Sequence, residues 1–227
     1  MTRMFASRRM LTGLIAAASL AVVGASALAL ADPGDKGQNK SAEKAKAKGL
    51  KVGDKAAEFK LTSIDGKEVS LADLSKDGKI VVLEWFNPDC PFVKKHHDHA
   101  KTMKETYEKY KDKKVSWVAI NSGAPGEQGY GQDRNVKARK DYGIEYPVLL
   151  DESGKVGQAY GAKRTPEFFI IATDGTIAYH GAIDDNNDAK TVGKMNYVSA
   201  ALDALLAGKK VEKTETKAYG CSVKYAK

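Results

Sequence analysis

The chain has little of several things that would declare its chemistry at once. Its 227 residues include only two cysteines, Cys90 and Cys221, which lie 221 − 90 = 131 positions apart. A local C-x-x-C dithiol is therefore excluded, because the position three after Cys90 is Val93. No internal repeat is visible. There is no basic stripe interleaved with aromatics, although 37 basic residues outnumber 29 acidic ones for a formal net charge of +8. That dispersed excess serves solubility, and nucleic-acid binding is not inferred. The polar run Asp184-Asp185-Asn186-Asn187-Asp188 lacks the spacing and glycine of a calcium loop and reads as a polar loop.

One long apolar run is present, Leu11 to Leu30, and it stands behind Arg3, Arg8 and Arg9 with no acid among them. Ala29-Leu30-Ala31 then supplies small residues of the cleavage type. Residues 1–31 read as a secretion signal peptide rather than a retained anchor, with a partial likeness to a twin-arginine signal at Ser7-Arg8-Arg9-Met10-Leu11. Loss of the three arginines leaves a net charge of +5 and no stable membrane insertion. The expected location is periplasmic or otherwise secreted, where two thiols can be oxidised to a disulfide. Residues 32–49 are rich in Lys, Ala, Gly and Ser and lack aromatics, so they are read as a disordered linker. Residues 50–208 suit one domain, and residues 209–227 form a C-terminal tail carrying Cys221.

Within the domain, Phe59 to Val69 predicts a hairpin turning at Asp65-Gly66, an N-terminal extension, and Ser70 to Leu74 a helical turn. Ile80 to Phe86 is apolar and β-branched at its start, which predicts a buried central strand. Phe92 to Tyr110 predicts one helix with Val93, His96, Ala100, Met103, Tyr107 and Tyr110 facing inward. Strands are expected at Val115 to Ile120, Tyr146 to Leu150, Glu167 to Ala172 and Ile177 to His180, with helices at Asn135 to Asp141, Val156 to Tyr160 and Met195 to Ala207. Alternating strands and helices imply an α/β fold with a mixed sheet flanked by helices. The turn after a central strand is where such sheets carry their sites.

That turn contains Cys90, in Trp85-Phe86-Asn87-Pro88-Asp89-Cys90-Pro91. A sulfur opening a helix meets free backbone N–H groups, which favour a thiolate, and Lys94 and Lys95 follow closely. A redox nucleophile is the reading, against that of a small buried hydrophobe. Cys221 follows a polar stretch, Lys209 to Lys217, expected to be mobile. On such a tail it can condense with a sulfenic acid on Cys90, or form a static disulfide with it. His96, six residues after Cys90, is a candidate proton acceptor, or a satisfied core histidine. His96, His97 and His99 also admit a copper site together with Cys90, though a solvated face is the plainer reading and no metal or cofactor is assigned.

The order of elements, the Trp85 to Pro91 segment, Thr165-Pro166 and Asp174-Gly175-Thr176-Ile177 resemble the thioredoxin fold, and within it the redoxin group that includes peroxiredoxin-like and membrane-associated thiol-disulfide proteins. The resemblance runs from about Val52 to Leu206. It implies a cis peptide at Thr165-Pro166 whose neighbouring backbone binds substrate, and a buried acid, here Glu84, that shuttles a proton beneath the cysteine. Two departures qualify it. The second cysteine of C-x-x-C is Val93, and the peroxiredoxin pattern P-x-x-x-[TS]-x-x-C meets Leu83 and Asn87. The expected function is a thiol-dependent oxidoreductase in which Cys90 attacks a peroxide and Cys221 resolves the product. Disulfide exchange with protein partners, and a non-enzymatic copper-binding or redox-sensing module, are the alternatives. The partners are a peroxide or disulfide and an external thiol reductant, with the chain a monomer or homodimer.

Overall fold

A computed structural model describes residues 49–227. The signal expected at residues 1–31, and residues 32–48 of the linker expected at 32–49, lie outside the described residues. Strands β1 (Lys60–Ser63) and β2 (Glu68–Ser70) form the N-terminal hairpin, with Gly66 at φ +75° in its turn. Ser70 then caps α1 (Leu71–Ser75) through a reciprocal hydrogen-bond pair with Asp73. The central strand β3 (Ile80–Trp85) is buried along its whole length. It lies between β4 (Val115–Asn121), which is parallel to it, and β7 (Glu167–Ile171), which is antiparallel. Strand β5 (Val148–Leu150) extends the sheet from β4 to β1, and β8 (Ile177–Gly181) closes the other side. The seven-stranded order is β2-β1-β5-β4-β3-β7-β8.

Burial on both faces explains why β3 is continuously apolar except at one position. On one face Val81, Leu83 and Trp85 meet Phe169, Ile171, Tyr160 and Leu71. On the other, Val82 and Phe86 meet Met103, Tyr110, Val198 and Leu202. Strand alternation puts Glu84 on the second face, the layer that also contains Cys90.

The helix expected from Phe92 to Tyr110 is not one helix. Helix α2 (Pro91–Lys94) passes into a π-helical turn, Lys95–His99, and Lys101 at φ +55° breaks the chain before α3 (Thr102–Tyr110). A π turn advances the face by an extra residue, so period-3.6 phasing fails across it. Lys95 and His97, which that phasing leaves outside, are buried beside His96. The remaining helices are α4 (Gln132–Tyr142), α5 (Lys155–Tyr160) and α6 (Tyr197–Leu206).

The tail also differs from expectation. Its polar stretch is held by hydrogen bonds rather than mobile. Strand β8 is an edge, and its backbone groups need partners. The His180 N–H donates to the Thr214 carbonyl at 3.0 Å, and the Thr216 N–H to the His180 carbonyl at 3.0 Å. Further on, β9 (Cys221–Ser222) pairs antiparallel with β6 (Arg164–Thr165). Polarity in Lys209 to Lys217 reports side chains in water, not a free backbone.

Candidate active site

Cys90 is the N-cap of α2, with Pro91 in the first turn, where a missing N–H costs nothing. The turn that presents it is tied on every side. The Asn87 carboxamide accepts from the Asp89 N–H at 2.9 Å and donates to the Gln128 carbonyl at 3.1 Å. From α4, Arg134 donates to the Asp89 carboxylate and the Pro88 carbonyl, and the Tyr142 hydroxyl donates to the same carbonyl at 2.8 Å. Asn87 occupies the place of a peroxiredoxin hydroxyl, and its polar atoms are spent on building the turn.

The Cys90 side chain is fully buried and its thiol donates to the Thr165 carbonyl at 3.0 Å. Thr165-Pro166 is cis. Thr165 is also the register partner of Cys221, so the backbone beside the proline is already paired, with the chain's own tail. The Cys221 thiol is a neighbour of the Cys90 thiol. Burial, followed by the neighbouring Cys90 thiol, pushes the Cys221 thiol up to about 12. Both cysteines are free thiols, Cys90 buried and Cys221 partly exposed. Thus Cys90, Cys221, Thr165 and Pro166, far apart in sequence, converge on one spot.

The two other expected site residues are placed differently. Glu84 is buried and accepts from the His97 ring at 2.7 Å and from the Tyr146 hydroxyl at 2.8 Å. Its partners were not legible in the sequence. His97 was phased outward by a helix that contains a π turn, and Tyr146 precedes β5. The His96 ring is buried and bonds to the Tyr219 hydroxyl at 2.9 Å, on the tail, rather than to Cys90. Burial holds His96 down at about 4, with Asp184 opposing and Lys95 and His97 assisting. The ring nitrogen Nε2 is thus engaged by the tail tyrosine, and no hydrogen bond joins His96 to Cys90.

Lys95 is bonded elsewhere. Its ammonium enters the polar loop and donates to the carbonyls of Asn186 at 2.7 Å and Asp188 at 2.9 Å, with Asp184 3.9 Å away. The loop considered for calcium thus holds a cation, but the cation is Lys95. Burial lowers the Lys95 pKa against the pull of Asp184 and Asp188. The three neighbouring histidines diverge: His96 to Tyr219, His97 to Glu84, and exposed His99 toward Asp98 at 3.7 Å. Among the described residues no three His, Cys, Asp or Glu side chains converge as metal ligands.

A fully buried thiol at the head of a helix, after a central strand and beside a cis-proline loop, defines a thioredoxin-like thiol oxidoreductase. The chain belongs to the Redoxin family, whose sequence model matches residues 51–198. It is similar to the thiol-disulfide oxidoreductase ResA of Bacillus thuringiensis (strain Al Hakam), 29% identical over 131 residues that cover 56% of this chain and 68% of that protein. ResA of Bacillus subtilis (strain 168) is 30% identical over 128 residues, covering 56% and 65%. Among solved structures, an uncharacterized conserved protein from Geobacillus kaustophilus superposes with a TM-score of 0.68 at 32% identity, over 78% of this chain and 93% of that one. A hypothetical protein from Sinorhizobium meliloti 1021 superposes with a TM-score of 0.65 at 30% identity, over 78% and 96%. Among the described residues no helix is long and apolar enough to cross a membrane.

Proposed function

We propose that the protein is a thiol-dependent peroxidase whose working couple is Cys90 and Cys221. The observation that carries this reading is the juxtaposition of the two thiols across the β6–β9 pairing, with the Cys90 thiol on the carbonyl of the residue that Cys221 faces. Cys90, as thiolate, attacks one peroxide oxygen. The O–O bond breaks, the terminal hydroxyl stays on Cys90 as a sulfenic acid, and the alkoxide or hydroxide takes up the proton that the Cys90 thiol released and leaves as alcohol or water. The Cys221 sulfur then displaces hydroxide from the sulfenic sulfur, giving a Cys90–Cys221 disulfide and water. Two electrons from an external thiol reductant restore both thiols. A peroxide is favoured because Cys90 is fully buried and the Thr165 edge is occupied, so a small oxidant has easier access than a protein disulfide. The signal-like pattern of residues 1–31 supports a periplasmic or otherwise secreted location, where this couple can cycle.

A second reading, disulfide exchange with a protein partner, draws on different observations. The ResA relatives are named for that chemistry, and Asn87 leaves no hydroxyl at the peroxiredoxin position. In this reading the tail withdraws and an extended substrate pairs with Thr165 instead. Stopped-flow mixing of the reduced protein with hydrogen peroxide separates the two. The peroxidase reading expects rapid formation of the Cys90–Cys221 disulfide, and in Cys221→Ser a sulfenic acid on Cys90 that dimedone traps. Inertness to peroxide, together with fast exchange against a disulfide-bonded protein, would establish the second.

A further inference from the structure

We propose that Tyr219 is a positioning residue of the thiol pair: its hydroxyl, clamped between His96 and Asp184, fixes the tail so that Cys221 lies against Cys90. This rests on the Cys90–Cys221 couple and adds a residue that touches neither sulfur in the reaction.

The geometry is that of a tether on the helical run that Cys90 itself begins. The Tyr219 hydroxyl donates to the Asp184 carboxylate. Its single proton is then spent, so its oxygen accepts from the His96 Nε2–H at 2.9 Å. That assigns the Nε2–H tautomer to His96 and leaves its buried Nδ1 without a partner. The Lys95 ammonium reaches the same oxygen at 3.5 Å and lies 5.0 Å from the ring centroid. The Tyr219 ring packs against Phe92 at 5.8 Å and His96 at 6.3 Å. Every one of these groups except Asp184 belongs to α2 or its π turn.

Gly220 converts this tether into a position for the next residue. It adopts φ +113°, and a Cβ there would collide with the Thr165 carbonyl, the group that accepts the Cys90 thiol. Beyond Cys221, the Tyr225 hydroxyl donates to the Ala162 carbonyl at 2.8 Å, with its ring in a notch that side chains at Gly154 and Gly157 would fill. Cys221 is therefore suspended between two tyrosine anchors. The Tyr219 anchor is two residues away and is fastened to the element that carries Cys90.

The test is the equilibrium of the Cys90–Cys221 disulfide with glutathione, read by alkylation and mass spectrometry on the full chain. Tyr219→Phe keeps the ring and removes the clamp, and is expected to lower the disulfide equilibrium constant about tenfold, about 30 mV in potential. Alkylation of Cys221 in the reduced protein should quicken in parallel. Tyr110→Phe is the control, since its hydroxyl lies within hydrogen-bond distance of the Ser199 carbonyl and the Asp203 carboxylate on α6. It should cost thermal stability while leaving the disulfide equilibrium unchanged. An unchanged equilibrium and alkylation rate in Tyr219→Phe would overturn the proposal. If the wild-type chain forms no Cys90–Cys221 disulfide in any glutathione buffer, the thiol-pair reading itself fails and takes this one with it.

Discussion

Acidification should weaken the fold through one identifiable residue, His96. Its ring is buried and its pKa falls from 6.5 to about 4, mainly because burial disfavours the charged form. The unfolded chain therefore binds a proton at this site at a pH where the folded chain does not. The contribution is fully present above pH 6.5 and is lost as pH falls from 6.5 toward 4. At about 1.4 kcal/mol per pH unit, the total over that interval is about 3 kcal/mol, of which about 2 kcal/mol is gone by pH 5. Carboxylates titrate in the same range, so the wild type alone cannot isolate the effect. His96→Gln retains an N–H donor for the Tyr219 oxygen but has no proton to bind. Urea unfolding of both proteins at pH 7, 5 and 4 provides the comparison. The variant is expected to be the less stable at pH 7 and to lose about 3 kcal/mol less than wild type by pH 4. Parallel stability curves would refute the reasoning, because they would mean that His96 charges as readily folded as unfolded.

Other outcomes follow from the same geometry. When glutathione reduces the Cys90–Cys221 disulfide, its sulfur should join Cys221, the partly exposed partner, and release fully buried Cys90. Acid quenching and peptide mass spectrometry locate the adduct, and an adduct on Cys90 would contradict the burial argument. Gly220→Ala forces a Cβ onto the Thr165 carbonyl at a positive φ, so peroxide turnover should drop about tenfold or more, with far-UV circular dichroism unchanged. Wild-type turnover in that variant would show that the tail need not dock as it does here. Glu84→Ala leaves the His97 ring and the Tyr146 hydroxyl buried without their acceptor and should destabilise the domain by about 3 kcal/mol in urea titrations. A loss below about 1 kcal/mol would mean that the cluster rehydrates or repacks.

Local chemistry determined much of this protein in the sequence itself. Ile80 to Phe86 must be buried, Asp65-Gly66 must turn, and a cysteine followed by proline must sit at the head of a helix. The pattern of strands and helices then leaves few ways to arrange the sheet, and the resemblance to redoxins follows. These are nearest-neighbour properties, set by backbone sterics and by apolar periodicity. Tertiary structure alone decided which side chains meet. Nothing local distinguishes a polar tail in water from one whose backbone completes an edge strand, since both expose the same lysines and glutamates. The π turn after Lys94 moved Lys95 and His97 into the core and turned His96 toward the tail, because one extra residue per turn rotates everything that follows. The contact that matters most, Cys221 across Thr165 from Cys90, joins residues 131 positions apart through a strand pair only two residues long. Its register is held by Tyr219, Gly220 and Tyr225 acting together, and no periodicity in the chain encodes that.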